Sequence, residues 1–554
     1  MLWVWVFFFP FLISLLSFFG GVFFLNSSYL LMWDISFFRE SNFEMILLFD
    51  LFSMMFLFTV GLVSGFVLLY SNYYMKESLF KKKFIVVMMV FIFSMFLLSM
   101  SGDLVWLMVG WDGLGFSSMC LIFFFQNWKS FNSAMVTFIS NRIGDFFIIS
   151  FFCFNLMLSG SLFYKGEGWG ILGLFLCFGA FSKSAQVPFS AWLPLPMAAP
   201  TPVSSLVHSS TLVTAGVFLL IRFKSFLSKM GMSGIFFGSF LTFVLAGMSS
   251  LSEYDLKKII ALSTLSHMGL MMSFVGMESF VSAKIHLINH AFFKSLLIMT
   301  SGFMIHDNNN FQDIRLISVS SSNFFFSLSF ILSLKSMGGA PFFSGFFSKE
   351  IFLGKVFLSI LSMEMGLLFF FSVSFNCSYS IPALYYFFSP FFSLFSLSSK
   401  SGYPEKAFFF MSIVSSFFKG LILLKMVEKE KMISFSFFSL FQKMSMKVGN
   451  IFCLIIWKVF SFFFSYMSFW MMKICQMMWM IGSSNNIFQK FVYSSSFFMM
   501  MKSDVKSMLD YYVFFFFDLF KYLSGALMKI LFTNPFVFVK MCCWNGNSLF
   551  FFHI

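Results

Sequence analysis

Charged residues are scarce in this sequence. Asp, Glu, Lys and Arg supply 10% of its 554 residues, whereas hydrophobic residues supply 59%. So few charges cannot cover the surface of a water-soluble protein of this length. A membrane-spanning helix needs about 20 apolar residues, and the apolar runs here provide about 14–16 such helices. The composition therefore predicts an all-α polytopic membrane protein.

Metal and nucleotide motifs are also missing. None of the eight cysteines lies in a CxxC or Cys/His ligand spacing, and no GxGxxG or Walker loop is present. We therefore expect this chain to bind no zinc, iron–sulfur cluster or nucleotide. The net charge of +14 does not indicate a nucleic-acid partner, because basic loops beside membrane spans explain it.

The N-terminus shows neither a cleavable signal nor an Arg-rich transit sequence before its first apolar run, residues 1–25. The 99 phenylalanines exceed any packing requirement, since lipid accepts Phe, Leu and Ile almost equally. Such usage is typical of T-rich organelle genes. We therefore expect a protein that is made beside its own membrane.

The apolar runs divide the chain into N-terminal spans (1–100), a first repeat (101–250), a second repeat (251–400) and an additional span (401–430). Spans are predicted near residues 1–25, 45–70, 84–100, 103–125, 133–158, 170–186, 203–222, 235–251, 257–276, 283–305, 324–341, 351–373, 379–396 and 407–427. The positive-inside rule predicts that the lysine-rich loop at 76–83 faces the matrix or cytoplasm.

Residues 431–554 have a different pattern. Lys458 and Lys473 are 15 residues apart among aromatic residues. This spacing predicts a long lateral amphipathic helix within 431–510, with its lysine tips at the membrane interface. A pair of ordinary spans is the alternative. A terminal anchor span and tail are predicted for 511–554.

Two helices are predicted to be broken inside the membrane. Lys183 precedes Pro188, and Lys349 follows the Gly338–Gly339–Ala340–Pro341 sequence. Proline removes a backbone donor and frees a carbonyl, so each helix should break or kink there. Broken helices in corresponding positions of two halves indicate inverted repeats, as in transporters.

Titratable residues recur in the apolar runs, although a charge at mid-bilayer costs about 2.5–3.5 kcal/mol. His286, His290 and Lys294 are spaced i, i+4 and i+8, which places them on one face of a helix. His208 lies among serine and threonine hydroxyls. Asp112 lies among glycines 110, 113 and 115, which permit close helix packing.

Four further residues have more than one interpretation or lie outside the apolar runs. His267 is either a packed core histidine or a relay residue, and His306 is predicted to lie in a loop. Asp145 and Arg142 form either a proton entry point or an ion pair at a helix end. Together the buried Asp, Lys and His residues could pass protons through ordered water. Protons are the favoured cargo, with sodium second, because no oxygen-rich cage is apparent.

Several motifs resemble the subunit 5 family of NADH dehydrogenase, the distal antiporter-like subunits of mitochondrial respiratory complex I. They are GWDGLGFSS, NRIGD, PTPVSSLVHSSTLV, HLINHAFFK and GAPFFSGFFSKE. The resemblance covers about residues 45–430. After residue 430 the chain matches only the family's general plan of a lateral helix and an anchoring span.

The resemblance implies roles for individual residues. Asp112 stands where the family usually has a glutamate, which would pair with Lys183. Asp145 matches the acidic residue beside that pair, and His208 matches a connecting histidine. His286, His290 and Lys294 match a central hydrophilic axis that ends at Lys349. His267 stands where a glutamine is expected.

The resemblance also implies a proton-translocating subunit of NADH:ubiquinone oxidoreductase in the mitochondrial inner membrane. NADH, FMN, iron–sulfur clusters and ubiquinone would belong to other subunits. Expected partners are antiporter-like subunit 4, other membrane subunits and lipids such as cardiolipin. The alternatives are a subunit of a multisubunit cation/proton antiporter, which sodium dependence would favour, and a structural subunit whose charges only hold helices together.

Overall fold

The computed structural model describes a helical membrane protein. It describes residues 2–24, 28–38, 41–76, 78, 80–159, 170–308, 310–316, 324–340, 343–358, 373 and 379–388. Within these residues, eight helices are long and apolar enough to span a membrane. The predicted span at 407–427, the lateral helix at 431–510 and the terminal anchor lie outside the described residues. The division into repeats stays a prediction.

The first half of the described chain contains eight α-helices. They are α1 (Leu2–Phe23), α2 (Leu51–Tyr74), α3 (Lys81–Met100), α4 (Leu104–Ile122), α5 (Trp128–Ser159), α6 (Gly170–Lys183), α7 (Thr201–Ser204) and α8 (Leu212–Arg222). A π-helix (Ser205–Ser210) joins α7 to α8, and short 3₁₀ turns follow α4, α6 and α8. Gly110 lets α4 approach α3, because a Cβ there would lie 2.8 Å from the Leu98 nitrogen.

The second half continues with six helices. They are α9 (Lys229–Ser252), α10 (Leu256–Gly276), α11 (Phe280–Asp307), α12 (Phe324–Gly338), α13 (Ser344–Leu358) and α14 (Ser380–Phe388). Helix α11 packs against α10, α12, α13, α2 and the π-helix, so it lies at the centre of the described structure. This position explains why its polar side chains are buried.

A β-hairpin replaces the start of the predicted span at 45–70. Strand β1 (Tyr29–Phe38) pairs antiparallel with β2 (Ser41–Phe49), and Tyr29 lies opposite Phe49. Asp50 then caps α2 through its backbone N–H, which donates to the Ser53 hydroxyl at 2.8 Å. The cap stops the helix from extending toward residue 45, so the predicted boundary is wrong by several residues.

Both predicted helix breaks are confirmed. Helix α6 ends at Lys183, and non-α-helical backbone continues to Thr201. Helix α12 ends at Gly338, and α13 begins at Ser344. Gly339 has a φ of +78°, a conformation that glycine adopts without steric cost. The two lysines therefore lie beside backbone that no longer follows a regular helix.

Candidate functional site

Trp111 connects two charged residues of the first half. Its indole N–H donates to Asp145 Oδ1 at 2.7 Å, and its backbone carbonyl accepts from Lys183 Nζ at 2.6 Å. The same ammonium lies 4.0 Å from the centroid of the indole ring, a cation–π distance. One aromatic residue on α4 thus holds groups from α5 and α6.

The expected direct pair between Asp112 and Lys183 is not formed in the described structure. Asp112 Oδ1 instead contacts Arg142 NH1 at 3.4 Å, and both side chains are 45% exposed. Arg142 also contacts Asp145 Oδ2 at 3.2 Å. Aspartate is one methylene shorter than the glutamate expected here, which reduces its reach toward Lys183. Both carboxylates remain within electrostatic range of Lys183, with Asp145 the stronger influence.

Lys183 is fully buried at the C-terminal end of α6. The last turn of a helix presents carbonyl groups, which favours a cation there. Trp192, in the turn that follows, donates its indole N–H to the Ser182 carbonyl at 2.7 Å. The broken helix therefore fixes the lysine by its own irregular backbone as well as by α4.

His208 lies fully buried in the π-helix. Hydroxyls around it satisfy carbonyls that the wider turn leaves available: Thr211 donates to the Leu206 carbonyl and Thr214 to the Ser210 carbonyl, both at 2.8 Å. The Ser209 hydroxyl likewise donates to the Ser205 carbonyl. Among the described residues, neither ring nitrogen of His208 has a hydrogen-bond partner. An imidazole in this position can bind or pass a proton through water.

The predicted ladder of His286, His290 and Lys294 forms on α11, and all three side chains are fully buried. His286 Nδ1 lies 2.8 Å from the Ser348 hydroxyl on α13. His290 lies against the backbone of Ser209 in the π-helix. The ladder therefore joins the region of His208 to the second broken helix.

His267 belongs to the same cluster, although its sequence position gave it no clear role. It lies on α10, and its Nδ1 is 3.1 Å from His286 Nε2. Its ring centroid is 5.3 Å from that of His286 and 5.7 Å from that of His290.

The two lysines at the end of the ladder share Met337. Lys294 Nζ donates to the Ser263 hydroxyl at 2.5 Å and contacts Met337 Sδ at 3.0 Å. Lys349 Nζ donates to the Met337 carbonyl at 2.9 Å and lies 3.4 Å from the Gly338 carbonyl. Lys349 therefore binds the carboxyl end of the broken helix α12, where the helix dipole favours a cation.

The structure thus groups the predicted site residues into two clusters, with His208 in the π-helix as the remaining residue. Asp112, Asp145 and Lys183 form the first cluster with Arg142, and His208 lies in the connecting π-helix. His286, His290, Lys294 and Lys349 form the second cluster with His267. His306 is exposed at the end of α11 and lies against the rings of Tyr73 and Tyr74. The roles assigned to the clustered residues remain predictions.

Sequence reasoning missed Trp111, Ser263, Met337 and Ser348. Trp111 precedes Asp112 and Ser348 precedes Lys349, so adjacency to a titratable residue was an available signal for both. Nothing in the sequence marks Ser263 or Met337, because each meets its lysine only through helix packing.

Two family models match the chain. One, described as "NADH:quinone oxidoreductase/Mrp antiporter, TM", matches residues 101–377, half of the chain. The other, described as "NADH-Ubiquinone oxidoreductase (complex I), chain 5 N-terminus", matches residues 33–85. Buried lysines beside two broken helices and these matches define an antiporter-like membrane subunit.

Curated relatives narrow this class. Proteins named NADH-ubiquinone oxidoreductase chain 5 are similar to this chain: that of Mytilus edulis is 39% identical over 72% of this chain and 71% of its own length. The Locusta migratoria protein is 41% identical over 69% of this chain and 68% of its own length. The chain therefore belongs to the NADH-ubiquinone oxidoreductase chain 5 family. The match to the Anopheles quadrimaculatus relative, 43% identical, covers 65% of this chain and 64% of that protein's length.

Solved structures support the fold. A chain in the structure of an Mrp complex from Dietzia sp. has a TM-score of 0.67 at 20% identity, covering 88% of this chain and 60% of its own. A chain of an archaeal membrane-bound sulfane sulfur reductase has a TM-score of 0.65 at 17% identity, covering 80% and 91%. Both likenesses concern the helical architecture alone.

Proposed function

We propose that this chain is a proton-translocating membrane subunit of an NADH:ubiquinone oxidoreductase, complex I. One observation carries the proposal: fully buried titratable groups extend from Lys183 through His208 to the α11 ladder and Lys349, across two broken helices. Such groups are costly in a bilayer, and in transporters they mark ion pathways. The family of its curated relatives agrees with this function.

The geometry suggests where the coupling begins. Lys183 is held by a neutral carbonyl, while Asp112 is held by Arg142. If Asp112 turns from Arg142 to Lys183, the attraction between the lysine and its proton increases. Moving one charge against the potential takes about 2.3 kcal/mol per 100 mV. Making or breaking a partly buried ion pair involves a free energy of that order.

The proton then leaves toward the second cluster. We place His208 between the two clusters, because it lies in the π-helix and His290 lies beside the backbone of Ser209 in the same π-helix. The ladder ends at Lys349, from which the proton is released on the outer side of the membrane. Lys183, His286, Lys294 and Lys349 contact carbonyl, hydroxyl or imidazole groups, whereas the ring nitrogens of His208 and His290 have no hydrogen-bond partner among the described residues, so water is needed at these two rings.

The setting follows from the family. We propose that the chain lies in the mitochondrial inner membrane with the other complex I membrane subunits, including antiporter-like subunit 4, and with lipids such as cardiolipin. NADH, FMN, iron–sulfur clusters and ubiquinone bind to other subunits. Co-purification with an assembly that oxidises NADH tests this setting.

A Lys183→Met variant tests the function. It removes the proton-binding group and keeps the length of the side chain, so proton pumping per electron in vesicles should fall. Lys129→Met, at an exposed position of α5, is the matched control and should pump normally. Unchanged pumping by Lys183→Met would contradict the proposal.

A cation/proton antiporter subunit is the second candidate, because the Mrp complex contains a chain with this fold. Transport that depends on sodium and continues without NADH oxidation would favour it over the first candidate.

A further inference from the structure

We propose that His267 is a relay residue that carries the transported proton between His286 and His290. The inference rests on the proposed function and adds a step that the family resemblance does not assign, since a glutamine is expected at this position. It starts from geometry: His267 lies on α10 and faces two histidines of α11.

The distances place His267 within reach of both neighbours. The ring centroids of His286 and His290 are 6.4 Å apart. His267 is closer to each of them, at 5.3 Å and 5.7 Å. Each single step through α10 is therefore shorter than the direct step along α11.

Hydrogen bonds connect His267 to the second broken helix. His286 Nδ1 meets the Ser348 hydroxyl, and its Nε2 meets His267 Nδ1 at 3.1 Å. Nitrogens at this distance share one proton between them. Ser348, beside Lys349 in the chain, thus begins a connected series of polar atoms that leads to His267.

The other ring nitrogen of His267 points to a continuation. The side chain is fully buried, and its Nε2 has no hydrogen-bond partner among the described residues. Buried polar atoms of native proteins almost always have a partner, from the protein or from ordered water. One water molecule between this nitrogen and His290 would satisfy it and complete the path.

The transfer balances without any redox partner. In the direction of the proposed path, protonated His290 loses an N–H proton to the water, and the water passes one of its own protons to Nε2 of neutral His267, which carries its hydrogen on Nδ1. The His267 imidazolium then releases the proton on Nδ1 to Nε2 of neutral His286, and the His286 imidazolium gives its Nδ1 proton to the Ser348 hydroxyl as that hydroxyl releases its own. His267 is left with its hydrogen on Nε2, and rotation of the ring restores the first arrangement before the next transfer.

The electrostatic surroundings favour transient occupation. The groups that act on His267 are Lys349 and Lys294 together with His286 and His290. All are basic, so a proton on any one of them disfavours a proton on His267. A proton that reaches this ring is therefore passed on rather than held.

The test compares single variants in the assembled complex, reconstituted in liposomes. His267→Gln keeps a side chain that forms hydrogen bonds. An amide, unlike an imidazole, cannot accept a proton at one atom and release another proton from a second atom. We expect proton pumping to fall several-fold but to continue, because glutamine is the residue expected at this position and the direct step between His286 and His290, 6.4 Å between ring centroids, remains. Oxidation of NADH with an artificial electron acceptor should be unchanged. The matched control, His306→Gln, changes the exposed histidine at the end of α11 and should pump normally.

A second variant separates a relay from a structural role. His267→Gly leaves space for a free imidazole, which should restore pumping several-fold when added to the medium. Reduced pumping that imidazole does not restore would assign His267 a packing role and overturn the inference.

His286→Gln tells the two proposals apart. If it slows pumping while His267→Gln does not, the proton bypasses His267 and the inference fails, but the proposed function stands. If neither variant slows pumping, the second cluster carries no proton and both proposals fail.

Discussion

The two clusters stabilise buried charge in different ways. The first contains carboxylates: Asp145 accepts from Trp111 and Arg142, and Asp112 contacts Arg142 at a half-exposed surface. In the second, Lys294 and the three histidines contact hydroxyl, sulfur, imidazole and backbone groups, and they form no ion pair within the described residues. The first cluster therefore contains carboxylates that balance its cations, whereas Lys294 and the three histidines of the second cluster have no carboxylate partner among the described residues.

This difference separates two tasks. A cluster with fixed counter-charge can respond to a distant change in charge, because Arg142 already contacts both carboxylates. A cluster of basic groups cannot hold many protons together, since burying each unpaired cation is costly. Under the proposed function, a proton that enters it would displace the one ahead. The comparison predicts that removing a charge destabilises the first cluster more than the second.

The largest effect is expected for Asp145→Asn. Asp145 is 5% exposed and faces Arg142 and Lys183, so the variant removes the stronger carboxylate neighbour of Lys183 and leaves Arg142 with Asp112 alone. Breaking a buried pair in this way costs about 3–5 kcal/mol. The measurement is the yield and melting temperature of the assembled complex. Asp112→Asn, at the half-exposed end of the network, should cost about 1 kcal/mol or less.

Lys294→Met tests the other half of the comparison. It removes a buried cation that forms no ion pair among the described residues, so the complex should assemble and melt as the unchanged protein does. Pumping should nevertheless fall about a hundredfold, which corresponds to about 2.7 kcal/mol in the barrier. Lys335→Met, at an exposed position of α12, is the control. A loss of stability as large as that of Asp145→Asn would remove the distinction between the clusters.

Trp111→Phe should have an intermediate effect within the first cluster. The variant removes the N–H that donates to Asp145 but keeps an aromatic ring beneath Lys183 and the carbonyl that binds it. Losing a hydrogen bond to a charged group costs about 1.5–3 kcal/mol. Trp111→Leu also removes the cation–π contact and should cost more. Equal melting temperatures for the two variants would show that the ring face contributes nothing.

The smallest effect concerns an ion pair outside both clusters. Arg315 donates two hydrogen bonds to Asp313, which lowers the pKa of that carboxyl from its ordinary value of 3.8. A lowered pKa stabilises the folded protein above the ordinary value, and this stabilisation disappears as the pH falls below it. Because Arg315 is half-exposed, Arg315→Gln should cost about 0.2–1 kcal/mol.

Hydrogen exchange of residues 310–316 measures this small effect. The difference between Arg315→Gln and the unchanged chain should be constant from pH 7 to pH 5. A difference that increases toward acid pH would contradict the assigned sign.

Local sequence signals predicted much of the architecture. Pro188 and the Gly338–Gly339 pair located the breaks, because each acts on its own segment of backbone. The i, i+4, i+8 spacing located one face of α11, because helical geometry alone determines it. The hairpin at 29–49 was missed, since an apolar strand and an apolar helix segment of that length cannot be told apart by periodicity.

Partners across helices could not be predicted in the same way. The resemblance implied a pair between Asp112 and Lys183, and the sequence paired Arg142 with Asp145, whereas packing brings Arg142 to Asp112 as well. His267 is 19 residues from His286 along the chain, and nothing in the sequence specifies that α10 and α11 align the two rings. The sequence therefore predicted which residues form the site, whereas the contacts between these residues depend on tertiary structure and could not be predicted.

The π-helix at Ser205–Ser210 makes the direction of His208 depend on a residue count. Each of its turns holds about one residue more than an α-helical turn. Loss of a single serine from this segment would restore regular α-helix and keep the flanking helices nearly in register, because the wider turn accommodates one extra residue. Hydropathy would hardly change, yet the imidazole would face a different neighbour. Evolution of this segment is therefore expected to tolerate substitutions far better than insertions or deletions.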